Sequence, residues 1–158
     1  MAGARKPKKE REKKPHAPQK KERKERPRVV ETRGKRKESI ARASVKQGSG
    51  RLCINNRSID SIDQPYIREI ITEPLALAGD AAKTLDIDIV VFGGGTMGQA
   101  QAVRTAIARG LVEFTHNEEL KKLMIERDRH MLVEDSRRVE PKKYKGPKAR
   151  ARYQKSYR

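Results

Sequence analysis

The sequence predicts an α+β fold: a two-layer sandwich, with a four-stranded sheet carrying helices on one face and a disordered basic arm at each end. Three observations predict it. Charge is placed unevenly: residues 1–28 carry 13 basic and 4 acidic groups (net +9), 29–134 carry 16 and 15 (+1), and 135–158 carry 10 and 2 (+8). A near-neutral body of ordinary composition therefore lies between two polycationic segments, which repel themselves and stay disordered until a polyanion neutralises them. Next, apolar residues recur in short strand-like runs up to Asn55 and at helical spacing from Ile67 onward. Finally, residues 85–92 (LDIDIVVF) alternate at first and then become continuously apolar, as a central strand does.

The elements follow in order. Residues 1–27 are of low complexity, broken by Pro7, Pro15, Pro18 and Pro27, and His16 stands among them without partners. Val29, Val30 and Thr32 make residues 28–33 a strand. Gly34 opens a basic turn, GKRKES. Ala41, Ala43 and Val45 alternate in the second strand, a QGSG loop follows, and residues 51–55 form a third strand closed by an Asn55-Asn56 turn. Short strands on short turns predict an antiparallel meander. Asp63 is placed to cap a helix with Pro65 in its first turn. Ile67, Ile70, Ile71, Leu75 and Ala78 share its apolar face, Pro74 is expected to kink or split it, and Gly79 to end it.

After the strand at 85–92, GGG at 93–95 breaks the chain. Thr96 and Gln99 fit a capping box. The next helix buries Ala100, Val103, Ile107, Leu111 and Phe114, with Arg104 and Arg109 on its outer face. Gly110 inside it costs about 1 kcal/mol against alanine unless packing requires it. Thr115 and Glu118 repeat the capping-box pattern before a short helix with Leu120, Leu123 and Met124, running to about Asp128. Met131, Leu132 and Val133 are a last apolar anchor.

Several function classes find little support. Cys53 is the single cysteine, so neither an internal disulfide nor a cysteine-based zinc site is expected. No secretory signal and no run of about 18 apolar residues appear, which makes a soluble, reducing compartment the default. Gly93-x-Gly95-x-x-Gly98 matches the dinucleotide fingerprint and follows a strand, but that fingerprint needs a second parallel strand ending in an acid. Residues 111–128 continue in helical period instead, and Glu118 and Glu119 lie at a helix start. The glycines either pack the helix closely on the sheet or let an RNA phosphate approach the helix N-terminus. His16, His116 and His130 lie in poor contexts for catalysis. Neither catalytic residues, nor a metal, nor a cofactor is expected.

The segment 135–158 carries the functional signal. Pro141, Gly146 and Pro147 oppose helix and ladder alike, so it reads as an extended arm. Tyr144, Tyr153 and Tyr157, three of the chain's four tyrosines, are interleaved with its cations. Cations meet phosphates and rings stack on unpaired bases, a combination suited to RNA. A solvated tail that binds polyanions without selectivity is the plain alternative. An arginine on a flexible stalk, Arg158, could reach a narrow polyanionic space closed to a folded domain.

GKRKESIARASV (34–45), GGGTMGQAQAVRTAIARGL (93–111) and SRRVEPKKYKGPKARARYQKSYR (136–158) resemble the S-nine family of small-subunit ribosomal proteins in its archaeal and eukaryotic form. The resemblance runs from about Val29 to Arg158, and residues 1–27 fall outside it. It implies three strands, a helix, a strand and a helix, with a left-handed crossover and a mixed sheet. It also implies a cytoplasmic, ribosome-bound protein in the head of the small subunit, held on the 3′ major domain of the rRNA among neighbouring head proteins, with no membrane and no stable homo-oligomer. Body cations Arg33, Lys35, Arg36, Lys37 and Arg104, with arm cations Arg137, Arg138, Lys142, Lys143, Lys148, Arg150 and Arg152, would bind rRNA. Lys155, Ser156, Tyr157 and Arg158 would approach the anticodon stem-loop of peptidyl-site tRNA. Lys145 and Lys148 stand where glycine is common in the family, Ser136 where proline is, and Gly110 where alanine is. The parts are an extension at 1–27, a body at 28–134 and an arm at 135–158. Two other classes stay open: a polycationic RNA chaperone acting off the ribosome, and a small nucleotide-dependent enzyme.

Overall fold

The computed structural model describes residues 28–156. The extension expected at 1–27 lies outside the described residues, as do Tyr157 and Arg158. Strands β1 (Val29–Arg36), β2 (Ser39–Gln47), β3 (Leu52–Ile54), β4 (Arg57–Ser58) and β5 (Leu85–Phe92) form one sheet in the order β1-β2-β5-β3-β4. The α+β class holds, but the sheet has five strands, not four. The extra one is the two-residue β4, folded back on β3 by Asn55 (φ 49°) and Asn56 (φ 63°). Both sit in the left-handed region that a two-residue hairpin demands and that asparagine tolerates.

The antiparallel meander is corrected. β1 and β2 do pair antiparallel, but β5 inserts between β2 and β3, antiparallel to the first and parallel to the second. A parallel neighbour needs a crossover, and the helix α1 (Pro65–Ala78) lies on that connection. β1 also runs past its expected end. The reversal falls at Lys37-Glu38, with Lys37 at φ 53°. Gly34 is therefore a strand residue, and its lack of a side chain answers a contact: a Cβ there would overlap the Ala102 carbonyl of α3 (Thr96–Thr115).

That close approach sets the core. Ala41, Ala43 and Val45 of β2, and Leu85, Ile87, Ile89 and Val91 of β5, face Ala100, Val103, Ala106, Ile107 and Leu111 of α3. Full burial of a residue such as Ile87 or Leu111 contributes about 1.5–3 kcal/mol. Gly110 has a packing reason, since a Cβ there would lie 2.6 Å from Val45 Cγ2. The buried Thr32 Oγ1 donates to the Ala106 carbonyl at 2.8 Å and fastens strand to helix.

Three expected helix starts are corrected. Gln64, not Asp63, is the N-cap of α1 and makes no side-chain capping bond; Pro65 at N1 presets the turn. α1 runs unbroken through buried Pro74 and ends at Gly79 (φ 56°), after which the short helix α2 (Asp80–Lys83) follows. Thr96 is already inside α3, whose N-cap is Gly95, and Gln99 Nε2 donates to the Gly93 carbonyl instead of closing a capping box. Thr115 ends α3, donating back to the Leu111 carbonyl, and His116 at φ 51° turns the chain. The cap of α4 (Glu118–Arg127) falls to Asn117, whose Oδ1 accepts from Glu119 N at 2.9 Å and Leu120 N at 3.4 Å. Leu120 and Met124 of α4 are buried, while Leu123 is exposed. Phe114 is only half-buried, beneath the Arg28 guanidinium.

Candidate nucleic-acid interface

The arm leaves the body at a fixed point. Arg36, at the end of β1, bridges in parallel to Asp135, which is buried although the sequence counts it among the arm. The Asp135 carboxylate accepts from Arg137 N at 2.8 Å, from Arg137 Nη2 at 2.6 Å and from Arg137 Nε at 2.8 Å, and it also pairs with Arg36. The Arg137 side chain and backbone, then the Arg36 charge, hold this carboxyl far below the usual carboxylate range. Arg36 Nε donates to Gln101 Oε1 of α3 at 2.7 Å. Beside it, Arg109 donates to the carbonyls of Arg33 (2.7 Å) and Leu132 (2.8 Å) and meets Glu134 at 3.1 Å. A 3-10 turn at Arg129–Met131 buries Met131 just before this clamp.

Beyond the clamp the arm has neither helix nor strand through 156. Glu140 draws in Arg150 (2.8 Å) and Lys143 (3.2 Å), and the chain curls over Gly146, with Lys145 at φ 57°. Lys142, Lys148, Arg152 and Lys155 are exposed and make no ion pair among the described residues. Tyr144 (86% exposed) and Tyr153 (66%) stand clear of the body, with Lys145 Nζ over the Tyr144 ring at 5.6 Å. Ser156 is exposed too.

Body cations divide into two kinds. Lys35 near the end of β1 and Lys37 in the β1–β2 turn make no ion pair among the described residues, and Arg33 makes only a 3.8 Å contact with Glu134. Arg36, Arg104 and Arg137 are engaged internally. The outer-face position expected of Arg104 is corrected: its side chain is 14% exposed, set between Glu73 of α1 (2.8 Å) and Asp128 (2.7 Å). Burial pushes the Asp128 carboxyl up, but the His130 N–H and the Arg104 guanidinium outweigh that and leave it below its ordinary value. Arg109 is likewise turned in. Helical spacing placed both on the polar face, which here packs against α1 and the segment before the arm. Arg138 only reaches the Asp135 and Arg137 carbonyls, at 3.4 and 3.3 Å.

The glycine loop is a packing device along most of its length. Cβ atoms at Gly94 and Gly98 would meet Ser39 Oγ, whose hydroxyl donates to the Gly93 carbonyl at 3.0 Å. Only at Gly95 is the surrounding space open. The strand next to β5 on that side is the antiparallel β2, not a second βαβ strand. Among the described residues no cluster of His, Cys, Asp and Glu is arranged to hold a metal ion, and no helix is long and apolar enough to cross a membrane.

Sequence reasoning missed two anchors. Arg28 caps the far edge, with its guanidinium 5.4 Å over the Phe114 ring and 2.6 Å from His116 Nε2. Asp135 was counted as an arm charge, although an acid at the root of a cationic run is itself a signal of an internal pairing.

The family described as Ribosomal protein S9/S16 matches residues 34–158. The chain is 55% identical over 131 residues to the small ribosomal subunit protein uS9 of Desulfurococcus amylolyticus, covering 83% of this chain and 94% of that one. It is 49% identical over 131 residues to the same-named protein of Methanothrix thermoacetophila (83% and 99%) and 50% identical over 131 residues to that of Halobacterium salinarum (82% and 99%).

Proposed function

The chain belongs to the S9/S16 family of ribosomal proteins, and from that premise we propose that its body is a mount in the small-subunit head for an arm that binds rRNA and ends beside peptidyl-site tRNA. The family role is structural, in the small ribosomal subunit, rather than catalytic. One observation supports the finer reading most. A segment without regular structure, carrying Lys142, Lys148, Arg152 and Lys155 with no ion pair among the described residues and two exposed tyrosines, starts from a clamp that fixes its origin. Fixing the origin lowers the entropy lost when the arm orders on RNA. The division at 1–27, 28–134 and 135–158 belongs to this reading.

In it, Lys35, Lys37 and the arm cations meet rRNA phosphates, and Tyr144 and Tyr153 stack on unpaired bases. Lys143 and Arg150 exchange Glu140 for phosphate as the curl opens. Arg36, Arg104 and Arg137 serve the mount. Lys155, Ser156, Tyr157 and Arg158 form the tRNA-facing tip. Neutralising about six to ten phosphates makes isolated binding fall about 10³–10⁵-fold between about 50 and 200 mM salt. Co-sedimentation with small subunits after a high-salt wash tests the ribosomal placement; a chain found wholly in the supernatant overturns it. Deleting residues 155–158 is expected to leave assembly intact while speeding tRNA loss from the peptidyl site, and an unchanged off-rate removes the tip's role.

A further inference from the structure

Among the described residues, the helices cover only one face of the sheet. On the other face side chains form rows across the strands. Lys35, Ile40 and Phe92 make one row, Arg33, Arg42 and Val90 the next, and Glu31, Ser44 and Asp88 a third. Arg33 and Arg42 stand directly opposite each other, an arrangement that destabilises a sheet. Neither charge is answered at close range: Arg42 makes no ion pair among the described residues, and Arg33 reaches Glu134 only at 3.8 Å. Beside them Val90 is 60% and Phe92 48% exposed. Glu31, Arg33, Arg42, Asp88, Val90 and Phe92 border a shallow groove of about 580 Å³. Opposed cations next to exposed apolar side chains mark a surface completed by something else.

We propose that this corner of the open face docks a segment of a neighbouring protein, one that presents a carboxylate to Arg33 and Arg42 and apolar side chains to Ile40, Val90 and Phe92. The proposal rests on the ribosomal reading, since assembly into the subunit is what supplies a fixed neighbour. Charge selects a protein over RNA. The cationic part is only two rows deep. The third and fourth rows hold Glu31, Asp88 and Asp86 against one cation, Lys46, which pairs with Asp88 at 2.9 Å, so a sugar-phosphate strand crossing the face would run onto a net negative surface. Two of the three apolar side chains are aliphatic and offer a base no ring to stack on, whereas apolar side chains of a protein segment can pack on all three. A second copy about a two-fold axis would set cation pair against cation pair.

The test uses small subunits assembled with the full chain bearing a benzophenone at Ser44→Cys in a Cys53→Ser background, at the edge of the patch. Photolysis is expected to join it to one neighbouring protein, at a peptide holding Asp or Glu beside apolar residues. Adding Arg42→Glu is expected to lower that yield about tenfold, and Arg42→Gln by less. Crosslinking to rRNA, to a second copy or to nothing overturns the proposal, as does a yield indifferent to Arg42. Co-sedimentation of the labelled chain is scored in the same sample. Its loss removes the ribosomal reading as well, while retention without the protein crosslink removes the docking surface alone.

Discussion

Gly110 and Val45 compete for one space. A methyl at position 110 would sit 2.6 Å from Val45 Cγ2, on a β-branched side chain that is fully buried and stiff at χ1. Gly110→Ala gains about 1 kcal/mol of helix propensity and meets overpacking of about 1–3 kcal/mol. A net loss is therefore expected in urea unfolding. In a Val45→Ala background the hard contact is gone and only Thr32 Oγ1, at 3.3 Å, stays close, so the same substitution is expected to cost less than in the parent by about 1 kcal/mol or more; equal effects in the two backgrounds would mean that the residues do not share the space. Gly34→Ala is expected to cost more than Gly110→Ala, because its methyl meets the helix backbone at Ala102, which cannot rotate away. The sequence read Gly34 as a turn residue because conformational freedom and close approach leave the same letter. Only the position of α3 distinguishes them.

Element boundaries at 85–92 and the inward set of α3 were legible because periodicity reports which side of an element is apolar. It does not report neighbours. The place of β5 between β2 and β3 depends on the crossover by way of α1, which no local pattern records. The caps slipped for a related reason: a Thr-x-x-Glu spacing occurs at 115–118, but His116 takes the left-handed turn and hands the cap to Asn117. Arg104 shows the same limit among charges. Its guanidinium joins α1, α3 and the turn after α4 through Glu73 and Asp128, with 14% of its side chain exposed. Charge-assisted bonds of this kind contribute about 1.5–3 kcal/mol, so Arg104→Ala is expected to lower the stability of the isolated protein by that order. Lys142→Ala, at an exposed arm position, is expected to stay within about 0.5 kcal/mol. If the two variants unfold at the same urea concentration, the internal role assigned to Arg104 is wrong.

At the scale of the whole molecule, the arm's character was visible as composition: an excess of cations with tyrosines needs no contacts to be read. Its attachment was not, because the clamp joins Asp135 to Arg36 on the first strand and to Gln101 through that arginine. The clamp has a pH signature. The Asp135 carboxyl is held well below its ordinary value in the folded protein, first by the Arg137 side-chain and backbone bonds and then by the Arg36 charge. A depressed folded value means that this contribution to stability is complete above the unfolded value of about 3.9. It fades as pH falls from there through the lower folded value. An NMR titration is therefore expected to place the midpoint of the Asp135 side-chain carbon well below about 3.9, with the Arg137 amide shift following the same curve. Asp135→Asn abolishes that curve, keeps an acceptor for the Arg137 N–H and removes the charge facing two guanidiniums. Its arm root is expected to be cut faster by trypsin at neutral pH, while the body's resistance is unchanged. An Asp135 midpoint at the ordinary value, together with unchanged cleavage in Asp135→Asn, would mean that the arm hangs from the chain alone rather than from the sheet.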